Sequence, residues 1–458
     1  MRDLGGRPSK LKYDHEGNEI DQLGRLVGMG AANSYRPVAG LSSVSKLVER
    51  ILMDQMVAFL EEEGVIPHEQ HGFRAGRSVD TALTSMLSRL AQAQEKGLKI
   101  GLAAYDYSAA FDTISRKVLE EKLSAWAGEP AKKLLINYMT DRSQMVKWNS
   151  ARSTELAVRY GVPQGSILAP LLFLLVTGDL PRTISSGVGP TVSAGVTLYA
   201  DDTSGTIATR TWEDTEAAMM AMAEELEIYS RANELHLNLE KTQKLLIGQS
   251  SATHDTITIL GVTIDKSAGF STHHSEVLND LRRRLGAVRR VACQIPRGKL
   301  LREIGNSLIV GRLQSSAWVT RPAHLNSQQG GHRNKGGAQV ILNDFARLLL
   351  GISRADHCRV EDLLDKAQVP TVNQIVVRQA ALSAWRATHG GALGEVLEHF
   401  DSRTRGSALC LRKPVSQRCT GADNMARSWN SSEALRSATT LHEARTIAKK
   451  MASEARHF

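Results

Sequence analysis

Val196-Thr197-Leu198-Tyr199-Ala200-Asp201-Asp202-Thr203-Ser204-Gly205-Thr206-Ile207 is the stretch on which the reading of this chain turns. A β-rich run meets two adjacent carboxylates, then Gly205 and polar residues lead away, so the stretch reads as a hairpin with an acid pair at its turn. Side-by-side carboxylates repel, and burying either without a counter-charge is costly. A divalent cation removes that cost, and Mg²⁺ prefers hard carboxylate oxygens together with phosphate. Asp is also common in exposed turns. Taken alone, the pair favours that plainer reading; the other segments reverse it.

The totals bound the answer. A chain of 458 residues has room for two or three domains, and 42% hydrophobic with 23% charged residues is ordinary for a globular protein. Aromatics make up only 5%, which argues against binding by many base-stacking platforms. The net charge of +9 is unevenly spread. Residues 1–265 hold 27 Lys+Arg against 33 Asp+Glu, and residues 266–458 hold 30 against 15. An acidic part carrying the Asp cluster and a basic part beside it suit work on a polyanion. Cys293, Cys358, Cys410 and Cys419 have no paired spacing, which argues against a zinc knuckle and a disulfide framework and points to a reduced, intracellular setting. No apolar run reaches membrane-spanning length, so no membrane is expected as a partner, and the polar N-terminus reads as free of a signal peptide.

Along the chain, residues 1–34 are weakly patterned. A helix is expected from Ser43 or Ser45 with Leu47, Val48, Ile51, Leu52, Met56, Phe59 and Leu60 as its apolar face. Then His71-Gly72-Phe73-Arg74-Ala75-Gly76-Arg77-Ser78 forms a basic, glycine-punctuated loop whose Ser78 caps the next helix. Residues 99–105 read as a buried strand delivering Asp106, with Asp112 as N-cap of a helix over 113–125. Gly161-Val162-Pro163-Gln164-Gly165-Ser166 is a tight loop before a buried helix at 167–176, where backbone N–H groups offer an anion or sugar contact. A helix at 212–232 packs through Met219, Met222, Leu226 and Tyr229. Two strands follow, 244–247 and 257–264. From about residue 270 the pattern is helical and basic. Arg282, Arg283, Arg289 and Arg290 suit backbone phosphates, while Leu281, Leu285 and Val288 mark the buried side. Residues 326–338 read as a linker or long loop. Helices are expected near 340–350, 359–367, 372–388 and 439–455.

The order of these segments resembles the reverse transcriptases of non-LTR (LINE-type) retrotransposons. The resemblance rests on Tyr35-Arg36-Pro37-Val38 with Lys46 and Glu49, His71 through Ser78, Asp106 through Asp112, and Gly161 through Ser166. It continues with Tyr199-Ala200-Asp201-Asp202, Leu237-Asn238 with Lys241-Thr242, and Leu260-Gly261-Val262. Seven short motifs in order over roughly 230 residues are far more specific than any one of them. The resemblance implies an α+β, right-hand polymerase fold: fingers and palm over 35–265, a basic helical thumb over 266–325, and a small helical C-terminal region over 339–458. It further implies Asp106, Asp201 and Asp202 as ligands of two Mg²⁺ ions, with Mn²⁺ as a substitute, and Lys241 as a charge or proton source for the leaving phosphate. Phe111 becomes the steric gate against a 2′-hydroxyl. Gln164, Gly165 and Tyr199 fall at the nucleotide site, and Arg36, Lys46 and Arg74 become triphosphate or template contacts. The implied partners are an RNA template, a DNA primer and dNTPs, with a nuclear location during integration.

Two departures accompany the resemblance. No segment has room for the endonuclease domain of full-length elements, and the fingers segment ahead of Arg36 is short. The expectation is therefore a fragment or a copy shortened in its fingers. A catalytically inactive nucleic-acid-binding remnant is the competing reading; a group II intron-type splicing factor is disfavoured by the lack of a recognisable maturase appendage.

Overall fold

The computed structural model describes residues 38–148, 150–187, 193–249, 254–317, 337–389, 428–429 and 431–455, together with two short strand pairs near the termini. The first of those pairs is β1 (Lys12–Tyr13) with β2 (Glu19–Ile20). Helix α1 (Ser43–Glu62) and helix α2 (Val79–Glu95) precede strand β3 (Lys99–Tyr107). Helices α3 (Arg116–Leu123) and α4 (Glu129–Met139) follow, then two small ladders built from β4 (Ser143–Gln144), β5 (Lys147–Trp148), β6 (Ala151–Arg152) and β7 (Leu156–Ala157). Next come α5 (Ala169–Thr177), α6 (Leu180–Gly187), β8 (Ser193–Tyr199), β9 (Asp202–Thr209), α7 (Trp212–Ala232) and β10 (Leu237–Ile247). Strands β11 (Thr256–Ile259) and β12 (Val262–Asp265) form a hairpin ahead of α8 (Ser271–Ala292).

The centre is a four-stranded antiparallel sheet in the order β10-β3-β9-β8. Strand β3 is buried on both faces, which explains its nearly unbroken apolar run. Ile100 and Leu102 point into a core with α2, β11, β12 and the C-terminal helices. Ala103, Tyr105 and Tyr107 point the other way, into a core with α5 and α7. Helix α7 lies close against that second face because glycines meet its methionines: a Cβ on Gly101 would come within 2.1 Å of the Met219 sulfur, and one on Gly205 within 2.4 Å of the Met222 sulfur.

A separate helical core takes in α8, α9 (Lys299–Gly305), a π-helical segment Asn306–Val310, α10 (Gly311–Ala317), and the helices Ala338–Leu350 and Val360–Ala367. Leu281, Leu285 and Val288 are its buried face on α8, as their spacing predicts. Residues 318–336, and with them nearly all of the expected 326–338 linker, lie outside the described residues; helices before and after them share this one core. The helix Val372–His389 joins the two halves. Val372, Ile375 and Val376 belong to the helical core, whereas Ala381, Leu382, Ala384 and Trp385 pack against the sheet.

Several expectations are corrected. Helix α1 leaves Leu47 and Ile51 63% and 52% exposed, and Val48 and Phe59 are exposed as well. Its inward face is Glu49, Met53, Met56, Val57 and Leu60. Glu49 sets that rotation: its carboxylate, 3% exposed, accepts from the Ile167 N–H at 2.6 Å, the Ser166 hydroxyl at 3.0 Å and the Tyr138 hydroxyl at 2.9 Å. A carboxylate at the start of α5 suits the positive end of that helix. Residues 257–264 are a two-strand hairpin, because Leu260 and Gly261 both have positive φ and turn the chain. Helix α3 starts only at Arg116 after Ser115, so Asp112 is not its cap. The C-terminal region is not purely helical, since β13 (Ser402–Arg405) pairs with β14 (Ala408–Leu411). The helices expected near 340–350, 359–367, 372–388 and 439–455 are present at Ala338–Leu350, Val360–Ala367, Val372–His389 and Leu441–Glu454.

One buried carboxylate ties the halves together. Asp80, in the first turn of α2 and 7% exposed, accepts from the Gln379 amide at 2.7 Å and the Ser383 hydroxyl at 2.5 Å. Burial raises its carboxyl above the usual range, against the pull of those two donors and of Arg386. A carboxylate raised in the folded state favours folding below its unfolded value of 3.8, and that contribution is lost as pH rises through the raised value. Asp80→Asn keeps an acceptor for both donors and removes the buried charge. Its melting temperature at neutral pH should equal or exceed that of the parent, with any advantage vanishing near pH 4. Asp80→Ala orphans both donors and should lose about 1–3 kcal/mol in chemical denaturation.

Candidate active site

Strand pairing brings the acidic residues together. Tyr105 pairs with Thr203 across β3 and β9, and Tyr199 pairs with Asp202 across β8 and β9. Continuing the first register by one step sets Asp106 opposite Asp202. The hairpin turn itself is only Ala200-Asp201, with Ala200 at φ +57°. Desolvation, then the charges of Asp201 and Asp106, push the Asp202 carboxyl up from 3.8 to about 6. The three carboxylates therefore feel one another across two strands.

Lys241 reaches the same place through a β-bulge. Strand β10 pairs Asn238 with Asp106, then slips so that Gln243 faces Ala104. The intervening residues bulge out around the Asn238 side chain and carbonyl, which hold the Lys241 N–H at 3.2 Å and the Thr242 hydroxyl at 3.1 Å. Such a bulge re-aims a side chain. Here it sets Lys241 Nζ 3.1 Å from Asp106 Oδ2.

The loop Gly161–Ser166 wraps the segment after Asp106. The N–H groups of Gly161 and Val162 donate to the carbonyls of Ile114 and Phe111, both at 2.8 Å. The Gln164 amide donates to both oxygens of Asp112, at 2.7 and 2.8 Å, which is the work Asp112 does in place of capping. Gly165 has φ +98°. The half-buried Phe111 ring lies tilted at 5.0 Å from the buried Phe173 and meets the exposed Phe73 edge-on at 6.4 Å.

The remaining candidates are placed less uniformly. Tyr199 is half-buried, and its hydroxyl is pushed up by desolvation and by Asp80 and Asp202. Lys46 is exposed on α1. Arg74 is engaged within the protein, with Nε 2.7 Å from Glu61 Oε1 and Nη1 2.7 Å from the Pro67 carbonyl, so its guanidinium braces the loop. Arg36 lies outside the described residues. On α8, Arg282 bonds Asn279, Arg283 bonds Asp280, and Arg289 contacts Asp344, which also holds Arg354. Arg290 is exposed.

Sequence reasoning passed over Gln70. It is 1% exposed, and its Oε1 accepts from the Gly72 N–H at 2.8 Å and the Ala200 N–H at 2.9 Å. No periodic signal marks a glutamine in a loop that bonds a turn 130 residues away.

The donor set suits a divalent cation: hard carboxylate oxygens, crowded enough to raise Asp202, with a lysine beside them. Among the described residues, no three carboxylate, imidazole or thiolate side chains stand close enough as placed to enclose an ion. A cation there would offset the charges of Asp201 and Asp106 that, after desolvation, raise Asp202.

Comparison with known proteins assigns a family. The profile of the family described as reverse transcriptase (RNA-dependent DNA polymerase) matches residues 26–264, just over half of the chain. A probable RNA-directed DNA polymerase from transposon X-element of Drosophila melanogaster is 29% identical over 262 residues, covering 54% of this chain and 28% of that protein. The RNA-directed DNA polymerase from mobile element jockey of the same species is 25% identical over 285 residues, covering 58% of this chain and 30% of the relative. The chain thus spans under a third of those relatives' length. Apo telomerase from Candida tropicalis aligns with a TM-score of 0.44 at 11% identity, covering 91% of this chain and 59% of that one. With a family profile spanning both the Asp106 strand and the Asp201-Asp202 hairpin, the chain belongs to the reverse transcriptase (RNA-dependent DNA polymerase) family.

Proposed function

We propose that this chain is a polymerase core that copies RNA into DNA, adding dNTPs to the 3′-hydroxyl of a primer, and that it derives from a non-LTR retrotransposon. In this reading α1, α2 and the loop between them are fingers, the four-stranded sheet with α5 to α7 is the palm, and the helices from Ser271 are the thumb. The observation that carries the reading is the meeting of Asp106, Asp201 and Asp202 at adjacent strand ends, with Lys241 against Asp106.

Asp106, Asp201 and Asp202 would hold two Mg²⁺ ions, or Mn²⁺ in their place. Bound there, the ions supply activation of the primer hydroxyl and neutralise charge on the leaving pyrophosphate. Lys241 offers a positive charge and a proton at the leaving group. Phe111, braced by Phe173, limits space beside the sugar. Gln164 and Gly165 shape the wall across from it. The RNA template and DNA primer run past the basic face of α8, and the work takes place in the nucleus during integration.

Primer extension with an RNA template, a DNA primer, dNTPs and Mg²⁺ is the direct test. The parent chain should extend the primer, and Asp201→Asn should lose about 10²- to 10³-fold or more in rate while binding template–primer as before. A parent chain that binds but never extends would leave the inactive nucleic-acid-binding reading standing instead.

The carboxylate crowding has its own signature. Asp202 is raised in the folded state, so its contribution favours folding below pH 3.8 and is lost as pH rises through about 6. Asp202→Asn should therefore melt higher than the parent at neutral pH, and the two should converge near pH 4. Equal melting temperatures at neutral pH would remove the strain assigned to this cluster.

The phosphate contacts divide by their present partners. Arg282→Gln with Arg290→Gln should weaken binding to every template–primer sequence alike and flatten the log–log salt dependence by about one to two units. Arg289→Gln loosens the contact to Asp344 and should lower the melting temperature with little change in that slope.

A further inference from the structure

Strand β8 is the outer strand of the central sheet; its open edge meets the Arg89 guanidinium at the Val196 carbonyl and a main-chain segment at Leu198. There the segment Glu69–His71 runs parallel to it. The Leu198 N–H donates to the Glu69 carbonyl at 2.9 Å, and the His71 N–H donates to the Leu198 carbonyl at 2.8 Å. Between these two main-chain bonds, the buried Gln70 side chain reaches past the end of the strand to the turn. Its single oxygen accepts from Gly72 N–H and from Ala200 N–H.

Ala200 is where such a bond has most to do. It is a non-glycine residue at φ +57°, a conformation L side chains disfavour and that persists only where the surroundings enforce it. The fit is tight: a Cβ on Gly72 would fall 2.4 Å from the Ala200 nitrogen. Gln70 is itself held from behind. His71 Nδ1 lies 2.9 Å from the Thr81 hydroxyl, and Thr81 with Ser78 forms the capping box that starts α2. Burial, with Arg77, Arg89 and Arg74 nearby, lowers His71 to about 3, so this ring stays neutral and the anchor does not titrate near neutral pH.

We infer that Gln70 is a positioning residue for the reaction: its carboxamide oxygen fixes the Ala200 turn and thereby aims Asp201 and Asp202. It also makes the carboxylate turn answer to the Phe73–Arg77 loop, because the same oxygen holds Gly72 at the start of that loop. The inference rests on the polymerase reading for its kinetic consequence and on hydrogen bonding alone for its structural one.

The test uses the full chain and three variants. Gln70→Met keeps length and removes the acceptor, Gln70→Asn keeps the amide but is one methylene too short, and Gln70→Glu keeps an acceptor oxygen in reach. Rates are measured in single turnover with RNA template, DNA primer, dNTPs and Mg²⁺, with burst amplitude counting active molecules. Gln70→Met and Gln70→Asn should lose about 10- to 100-fold in rate per active molecule, as small misplacements of reacting groups do. Template–primer Kd should change less than about threefold, because the nucleic-acid contacts are elsewhere. Gln70→Glu should recover to within about tenfold of the parent, since the acceptor is restored. Hydrogen exchange over residues 198–203 is the second readout and needs no activity: protection should fall in Gln70→Met and return in Gln70→Glu. Parental rate per active molecule in Gln70→Met or Gln70→Asn, or unchanged exchange at the turn, overturns the inference. Failure of both variants to fold beside a normal Gln70→Glu assigns Gln70 to stability alone and overturns it too. If the parent chain extends no primer, the polymerase reading fails, and the exchange result still decides whether Gln70 holds the turn.

Discussion

Like charges on neighbouring strands are held together here by backbone pairing. Asp106 and Asp202 face each other because β3 and β9 are in register over seven residue pairs. Electrostatics alone would push them apart, and desolvation, followed by the charges of Asp201 and Asp106, raises the Asp202 carboxyl. The rest of the central architecture can be read as resistance to that repulsion. Strand β3 is buried on both faces, α7 presses its methionines onto the glycines of the sheet, and Gln70 fastens the turn from outside.

A second constraint links regions distant in sequence. Helix Val372–His389 begins in the helical core and ends against the sheet, and at its middle Gln379 and Ser383 hold Asp80. Asp80 sits in the first turn of α2, next to Thr81, which holds His71 beside Gln70. The charge of Asp80 is also felt at Tyr199. Buried polar contacts of this kind contribute little net energy but are expensive to break, which suits them to fixing one arrangement of two bodies. The C-terminal helices are in this sense part of the support for the acidic turn.

What was legible in the sequence was local. The Asp201-Asp202 hairpin, the strand ending at Asp106, the buried helix after Ser166 and the leucine face of α8 follow from periodicities of two and 3.6 and from turn chemistry within a dozen residues. What was not legible depended on partners far along the chain. The apolar pattern of α1 placed Met56 and Leu60 correctly but not Leu47, Val48, Ile51 and Phe59, which are exposed while the carboxylate of Glu49 is buried at the N-terminus of α5. Leu260 at positive φ broke a stretch that reads as one continuous strand. Asp112 looked like a helix cap, the usual role of its residue type, until Gln164 claimed both its oxygens. Polar residues have many possible partners and no periodicity to choose among them.

The basic loop shows the same limit from the functional side. The resemblance makes Arg74 a triphosphate or template contact, yet Arg74 is turned inward onto Glu61 and the Pro67 and Gln70 carbonyls. Its contact with the Gln70 carbonyl places a guanidinium on the main chain of the residue whose side chain holds Ala200. Any anion that drew Arg74 outward would have to displace a carboxylate and two carbonyls, and would relax the backbone at Gln70 in doing so. Arg74 therefore connects to the acidic turn through structure, whether or not it also meets a phosphate. A count of positive charges along the loop could not distinguish that role from direct binding, because the difference lies in where Glu61 ends up when α1 folds.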